Sequence, residues 1–147
     1  MSPAGDRQPD ARPVRVVGLG CQRGCSASAL RQLMEACLSE HGLELRDVTA
    51  LASIDTKADE PGLRDLADAL QLAVAFFSAS DLAAYKPSLT HRSDIAFERT
   101  GCYGVAESAA LAMAERLSGF PATLVIPRRK NAHATFALAG QSPEDWL

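Results

Sequence analysis

The sequence predicts a three-layer α/β/α sandwich on a mostly parallel five-stranded sheet, closed by a carboxyl-terminal antiparallel hairpin. Two observations carry this expectation. Short apolar runs alternate with segments of helical periodicity in the order β-α-β-α-β-α-loop-α-β-β, and such alternation places helices on both faces of a parallel sheet. The last two apolar runs are joined through Pro127-Arg128-Arg129-Lys130-Asn131, too short a connection for a parallel crossover, so they pair as a hairpin.

The elements follow in order. Val14 to Leu19 is the first strand, and Gly18-Leu19-Gly20-Cys21-Gln22-Arg23-Gly24-Cys25 turns from it into a helix that opens near Ser26. Leu30, Leu33, Met34, Cys37 and Leu38 keep the spacing of one helical face, so residues 27–41 form that helix and Gly42 ends it. Val48 to Ile54 is an apolar run bounded by charge, as in a buried strand. Asp59 is placed to cap the second helix, with Pro61 in its first turn and Leu63, Leu66, Ala67 and Leu70 on one face. Leu72 to Phe77 is a third strand, and Ser78-Ala79-Ser80-Asp81 has the form of a capping box for a short helix that stops before Pro87. Residues 86–100 lack periodicity and read as a long loop, which in a compact domain is often functional. Val105 to Leu117 is a long helix with an alanine-rich face, ended by Gly119; Ala122–Ile126 and Ala134–Ala139 are the hairpin strands.

Composition narrows the function classes. A chain of 147 residues, 47% hydrophobic and 22% charged, is most simply one globular domain. The boundaries expected are a flexible tail at 1–13, the domain at 14–140 and a second tail at 141–147. A formal net charge of −3 gives no basic field for nucleic acid, so an anionic ligand must be held by local positive charge. Residues 1–13 carry prolines and charges without the apolar core of a signal peptide. The longest near-continuous apolar run, Leu72 to Phe77, is far short of a membrane span. No membrane association and a cytoplasmic location are therefore expected. Cys21, Cys25, Cys37 and Cys102 show no metal-ligand spacing, so neither a metal nor another cofactor is expected. Cys25, at a helix start, is the one cysteine with a case for reactivity, because a helix amino terminus lowers a thiol pKa.

Three stretches carry the candidate chemistry. In the first turn, Gly20 and Gly24 allow close backbone approach, while the helix start and Arg23 favour an anion. A tight strand-to-helix turn needs glycine in any case, so both readings stand. The stretch Ser53-Ile54-Asp55-Thr56-Lys57-Ala58-Asp59-Glu60 packs a hydroxyl, carboxylates and an ammonium at a strand's carboxyl end, where ligands of open α/β sheets sit. Ser53, Asp55 and Lys57 are the candidates there. Glu107 follows Thr100-Gly101-Cys102-Tyr103-Gly104 in the first turn of the long helix, where the dipole alone accommodates a carboxylate. Arg128, Arg129 and Lys130 form the only basic cluster; alone it is a solvated hairpin tip, and beside a site for an acidic ligand it is a wall of that site. His41, His91 and His133 are scattered, without acid–base or metal spacing.

Taken together, Gly18-x-Gly20-Cys21-x-Arg23-Gly24, Ala52-Ser53-Ile54-Asp55-x-Lys57-x-Asp59-Glu60-x-Gly62-Leu63, Glu107-x-Ala109-Ala110 and Lys130 with Ala134-Thr135 resemble the CobE family, whose domain also forms the carboxyl-terminal part of the CbiG proteins of cobalamin biosynthesis. The resemblance spans roughly residues 14–139, and the chain length is similar to that of the free-standing form of the aerobic pathway. One departure is Cys25, where Thr or Ser is expected in many relatives. The resemblance implies a role in corrin-ring synthesis. The partner it implies is a precorrin or corrinoid, a flat apolar macrocycle fringed with carboxylates, with other enzymes of the pathway as further partners. Gly20, Arg23, Gly24, Ser53, Asp55, Lys57, Glu107 and Lys130 are the binding residues expected. Two readings stay open. One is a protein that binds and hands on an acidic intermediate. The other is a hydrolase that opens a precorrin lactone or removes its two-carbon fragment, with Asp55 or Glu107 as general base and Lys57 or Arg23 facing the oxyanion.

Overall fold

The computed structural model describes residues 13–102 and 104–141. The two expected tails lie outside these residues apart from Pro13 and Gln141. The strands are β1 (Arg15–Cys21), β2 (Ala50–Ile54), β3 (Val74–Phe77), β4 (Thr123–Lys130) and β5 (Ala134–Gly140). The α-helices are α1 (Ala27–Glu40), α2 (Pro61–Leu70), α3 (Ala79–Ala83), α4 (Asp94–Thr100) and α5 (Val105–Ser118). The strand order is β3-β2-β1-β5-β4. β1 to β3 are parallel, and β5 is antiparallel to both β1 and β4. Four strands thus run one way, and β1, β2, β3 and β4 all end at the same edge of the sheet.

Two cores flank the sheet. On one face, Val17, Leu19, Leu51, Ile126, Phe136 and Leu138 pack against α1 and α2 through Leu30, Met34, Leu38, Leu63 and Leu66. On the other, Val16, Ala50, Ala52, Ile54 and Ala139 pack against α3 and α5. Helix α5 is buried without interruption from Val105 to Ala114, and its small residues let it lie close on the sheet. A Cβ on Gly18 would come within 1.9 Å of the Ala106 carbonyl oxygen, so only glycine permits this approach. Among the described residues, no helix is long and apolar enough to cross a membrane.

The structure corrects several sequence expectations. Gly18 and Gly20 lie inside β1 rather than in the turn, which is left to residues 22–26 with Gly24 at φ +80°. Val48 ends a single 3₁₀ turn (Leu45–Asp47), so β2 starts at Ala50. Leu72 bonds back to α2 through Ala67, which delays β3 to Val74. Glu60, not Asp59, stands at the start of α2, and its carboxylate accepts the Gly24 N–H at 2.9 Å. Residues 86–100 are not one loop: a 3₁₀ turn at Lys86–Ser88 is followed by α4, whose amino terminus Ser93 caps by accepting the Ala96 N–H.

The hairpin departs most from expectation. Residues 127–130 belong to β4, and only Asn131, Ala132 and His133 make the turn. Pro127 misled the reading because proline usually leaves a strand. It is tolerated here for two reasons: β4 is an edge strand, and the ladder breaks between Ile126 and Arg129. There Ile126 pairs with Leu138 and Arg129 with Phe136, so Pro127 and Arg128 together oppose Ala137. That is a β-bulge.

Candidate functional site

Where β1, β2 and β4 end beside the start of β5, the first turn of α5 and helix α4, an open cleft of about 640 Å³ is formed, a volume usual for small-molecule sites. Its apolar lining is Ile54, Ile95, Ala96, Val105, Ala106 and Ala134, and Ile95 at 65% exposure is among the most exposed large apolar side chains described. Three cations, Lys57, Arg128 and Lys130, stand around these residues with Thr135 and His133. No aspartate or glutamate is among the described lining residues.

Each cation has a local origin. Lys57 sits on a 3₁₀ turn (Asp55–Lys57) that follows β2 directly. Arg128 and Lys130 alternate with Arg129, as side chains in a strand must. Arg129 reaches the opposite face of the sheet, where its guanidinium pairs with Glu40 of α1. The hydrogen bond from Arg129 is the main reason that Glu40 sits below the usual carboxylate range. The basic cluster seen in the sequence is therefore divided between two faces.

The cleft also meets the amino end of α5. Gly104 stands at the cap position and supplies no side-chain cap. The first N–H groups of a helix lack partners within it and carry its positive dipole end. Gly20 lies beneath, and a Cβ there would meet the Thr135 hydroxyl oxygen at 2.6 Å and the Val105 Cβ at 3.7 Å.

Of the residues expected from sequence, Gly20, Lys57 and Lys130 meet in this cleft; Arg23, Gly24, Ser53, Asp55 and Glu107 are not among its lining. Arg23 is exposed in the turn before α1. Ser53 is fully buried, and its hydroxyl donates to the Leu19 carbonyl at 2.6 Å, tying β2 to β1. Asp55 is exposed. Glu107 is 1% exposed, and its carboxylate accepts the backbone N–H groups of Thr90 (2.8 Å), His91 (3.3 Å) and Arg128 (2.9 Å) and the Thr90 hydroxyl. Burial pushes this carboxyl upward. The bonds from the Thr90 hydroxyl and from the N–H groups of Arg128, Thr90 and His91 outweigh it and hold the group below the usual carboxylate range. Glu107 thus clasps the 86–93 segment and the β4 bulge to α5. The short stretch before α4 and the bulge each contribute to the cleft, so the clasp fixes their spacing.

The thiols of Cys21 and Cys25 are poor nucleophiles. Cys21 lines the cleft, but burial pushes its pKa up to about 11 despite the nearby Lys57 ammonium. Cys25 is also raised, by burial and then by Glu60, which weighs against the case for its reactivity at the helix start. Among the described residues, no group of three or more His, Cys, Asp or Glu side chains could hold a metal ion.

Two parts of the site were not among the binding residues expected from the sequence. Arg128 was hidden by the bulge, since strict alternation from buried Ile126 would turn it toward α1. Ile95, Ala96 and Thr100 were hidden in the segment read as loop, although Ser93-Asp94 before Ile95 and Gly101 after Thr100 are a helix start and stop signal.

Comparison with known proteins gives a consistent picture. Residues 15–139 match the family described as "Cobalamin synthesis G C-terminus". The chain is 40% identical over 125 residues to "Protein CobE" of a Sinorhizobium species, covering 85% of this chain and 79% of that protein. It is 32% identical over 126 residues to the cobalt-precorrin-5A hydrolase of Priestia megaterium, covering 86% of this chain but only 32% of the hydrolase. It superposes on the crystal structure of CobE, a protein from the cobalamin (vitamin B12) biosynthetic pathway, with a TM-score of 0.85 at 48% identity, over 88% of this chain and 92% of that one.

Proposed function

The chain belongs to the cobalamin synthesis G carboxyl-terminal family and is a cobalamin biosynthesis protein of the CobE type, and on that premise we propose that its cleft binds an acidic precorrin or corrinoid intermediate and hands it on. The observation that carries this reading is the lining: apolar side chains ringed by Lys57, Arg128 and Lys130, with no carboxylate among the described lining residues. An apolar macrocycle fringed with acetate and propionate groups presents the complementary pattern. Each cation–carboxylate bond formed there is worth about 1.5–3 kcal/mol, so three of them discriminate strongly for a polyacid ring. The open cleft suits a carrier, because a ligand to be passed on must stay reachable.

Hydrolysis of a lactone or an acyl group is the second reading, favoured by the similarity to the cobalt-precorrin-5A hydrolase. It needs a general base at the ligand. Asp55 lies outside the described lining, Glu107 is enclosed by four donors, and the Cys21 thiol is held protonated. These placements support binding over turnover. The test is titration of the purified protein with precorrin intermediates, followed by the ring's absorbance and by mass spectrometry of the recovered ligand. A spectral shift at micromolar protein with the ligand recovered intact is expected. Absence of any shift refutes binding, and recovery of a ring-opened lactone replaces carriage by hydrolysis.

A further inference from the structure

We propose that Arg128 is the principal anchor of the cleft, taking one peripheral carboxylate of the ligand by turning its guanidinium toward it; this rests on the binding reading above. The side chain lines the cleft, yet its Nε is fully covered and has no hydrogen-bond partner among the described residues. A covered donor without an acceptor is a standing cost that native proteins rarely carry without a reason. Four features around it identify that reason. The bulge at Pro127–Arg128 aims the side chain to the cleft face, the Glu107 carboxylate fixes the Arg128 backbone through its N–H at 2.9 Å, Arg129 pairs with Glu40 of α1 on the opposite face, and the cleft lining offers no carboxylate of its own among the described residues. The backbone is therefore fixed while the Nε–H of the head group is left without an acceptor. A ligand carboxylate would supply the acceptor, and the planar fork donates to it in two parallel bonds, which the point charges of Lys57 and Lys130 do not.

The arrangement yields a signature that a structural arginine would not show. Removing the guanidinium takes away an unpaired donor, so Arg128→Met should melt at or above the temperature of the parent, its backbone bond to Glu107 being retained. The same substitution should weaken binding of a porphyrin octacarboxylate with acetate and propionate side chains by about 10- to 100-fold. It should leave the weaker binding of the corresponding neutral octaamide unchanged. Arg128→Lys, which keeps the charge without the fork, should fall between. In parallel, the Nε–Hε resonance of Arg128, identified by its loss in Arg128→Met, should shift when the small tricarboxylate tricarballylate is added to the parent protein. Equal octacarboxylate affinity in Arg128→Met and parent overturns the anchor and leaves the binding reading standing. Failure of the parent to bind either ring refutes the binding reading instead; the anchor then stands if tricarballylate moves the resonance and falls if it does not. A lowered melting temperature in Arg128→Met would show that the guanidinium has a structural partner, and would also overturn it.

Discussion

Replacing Glu107 by glutamine separates a structural clasp from a catalytic base. The variant keeps shape and volume but exchanges one acceptor oxygen for an NH₂ group and removes the charge. Its remaining oxygen can serve the Thr90 and His91 N–H groups, and the new amide can donate to the Thr90 hydroxyl. The Arg128 N–H then faces a donor, and a buried orphan of that kind costs about 1–3 kcal/mol. Loss of charge assistance at the bonds that remain adds about 1 kcal/mol. A total of about 2–4 kcal/mol follows, or about 6–20 °C in melting temperature for a domain of this size. Urea unfolding is the assay, with an unchanged slope and a lower midpoint as the expected result. The pH dependence supplies a second readout. Because the folded carboxyl lies below its ordinary value, its contribution to stability is present above the unfolded pKa, near 4.5, and is lost as pH falls through the folded one. The parent should therefore lose stability on acidification more steeply than Glu107→Gln. A variant as stable as the parent that fails only in turnover of a precorrin would refute the clasp and restore Glu107 as a base.

Other substitutions test the placement of the site. Lys57→Ala and Lys130→Ala should each weaken polyacid ring binding about tenfold in absorbance titrations, while Arg23→Ala, outside the described lining, should change it by less than about twofold. Ser53→Ala should lower the unfolding free energy by about 1–2 kcal/mol through its lost bond to Leu19 and leave ring affinity unchanged; a binding defect at unchanged stability would return Ser53 to the site. Gly18→Ala should cost about 3 kcal/mol or more in urea unfolding, since its Cβ meets backbone at 1.9 Å. Gly24→Ala, at φ +80° with open space around the added carbon, should cost only about 1–2 kcal/mol.

Most of the fold was legible because burial writes periodicity into sequence. The spacing of Leu30, Met34, Cys37 and Leu38 marks α1, and the apolar runs at Leu51–Ile54 and Phe136–Ala139 mark strands buried on both faces. What was hidden was local and unperiodic. A bulge inserts one residue and inverts alternation, so nothing in Pro127-Arg128-Arg129-Lys130 alone tells which arginine meets the cleft. Helix α4 is short and leaves Ile95 and Phe97 exposed, so it shows no apolar stripe. The carboxylates were located by chemistry but not by purpose: Glu107 reads as a ligand or cap residue and Glu60 only as part of the charged stretch after β2, and only the tertiary fold reveals that they bind distant backbone N–H groups at Arg128 and Gly24.

The central position of β1 governs the order in which this molecule can be completed. Val16 pairs with Ala50 on one side and with Ala139 on the other, so one partner is made soon after β1 and the other much later in synthesis. At about 5–20 residues per second, the 123 residues from 16 to 139 take about 6–25 s to emerge. Throughout that interval β1 has a bare edge in the middle of the future sheet, and neither Arg128 nor Lys130 has a wall to stand on. A nascent chain halted before Ala134 should accordingly be prone to edge-to-edge association, and the cleft comes into being only when β5 docks beside β1.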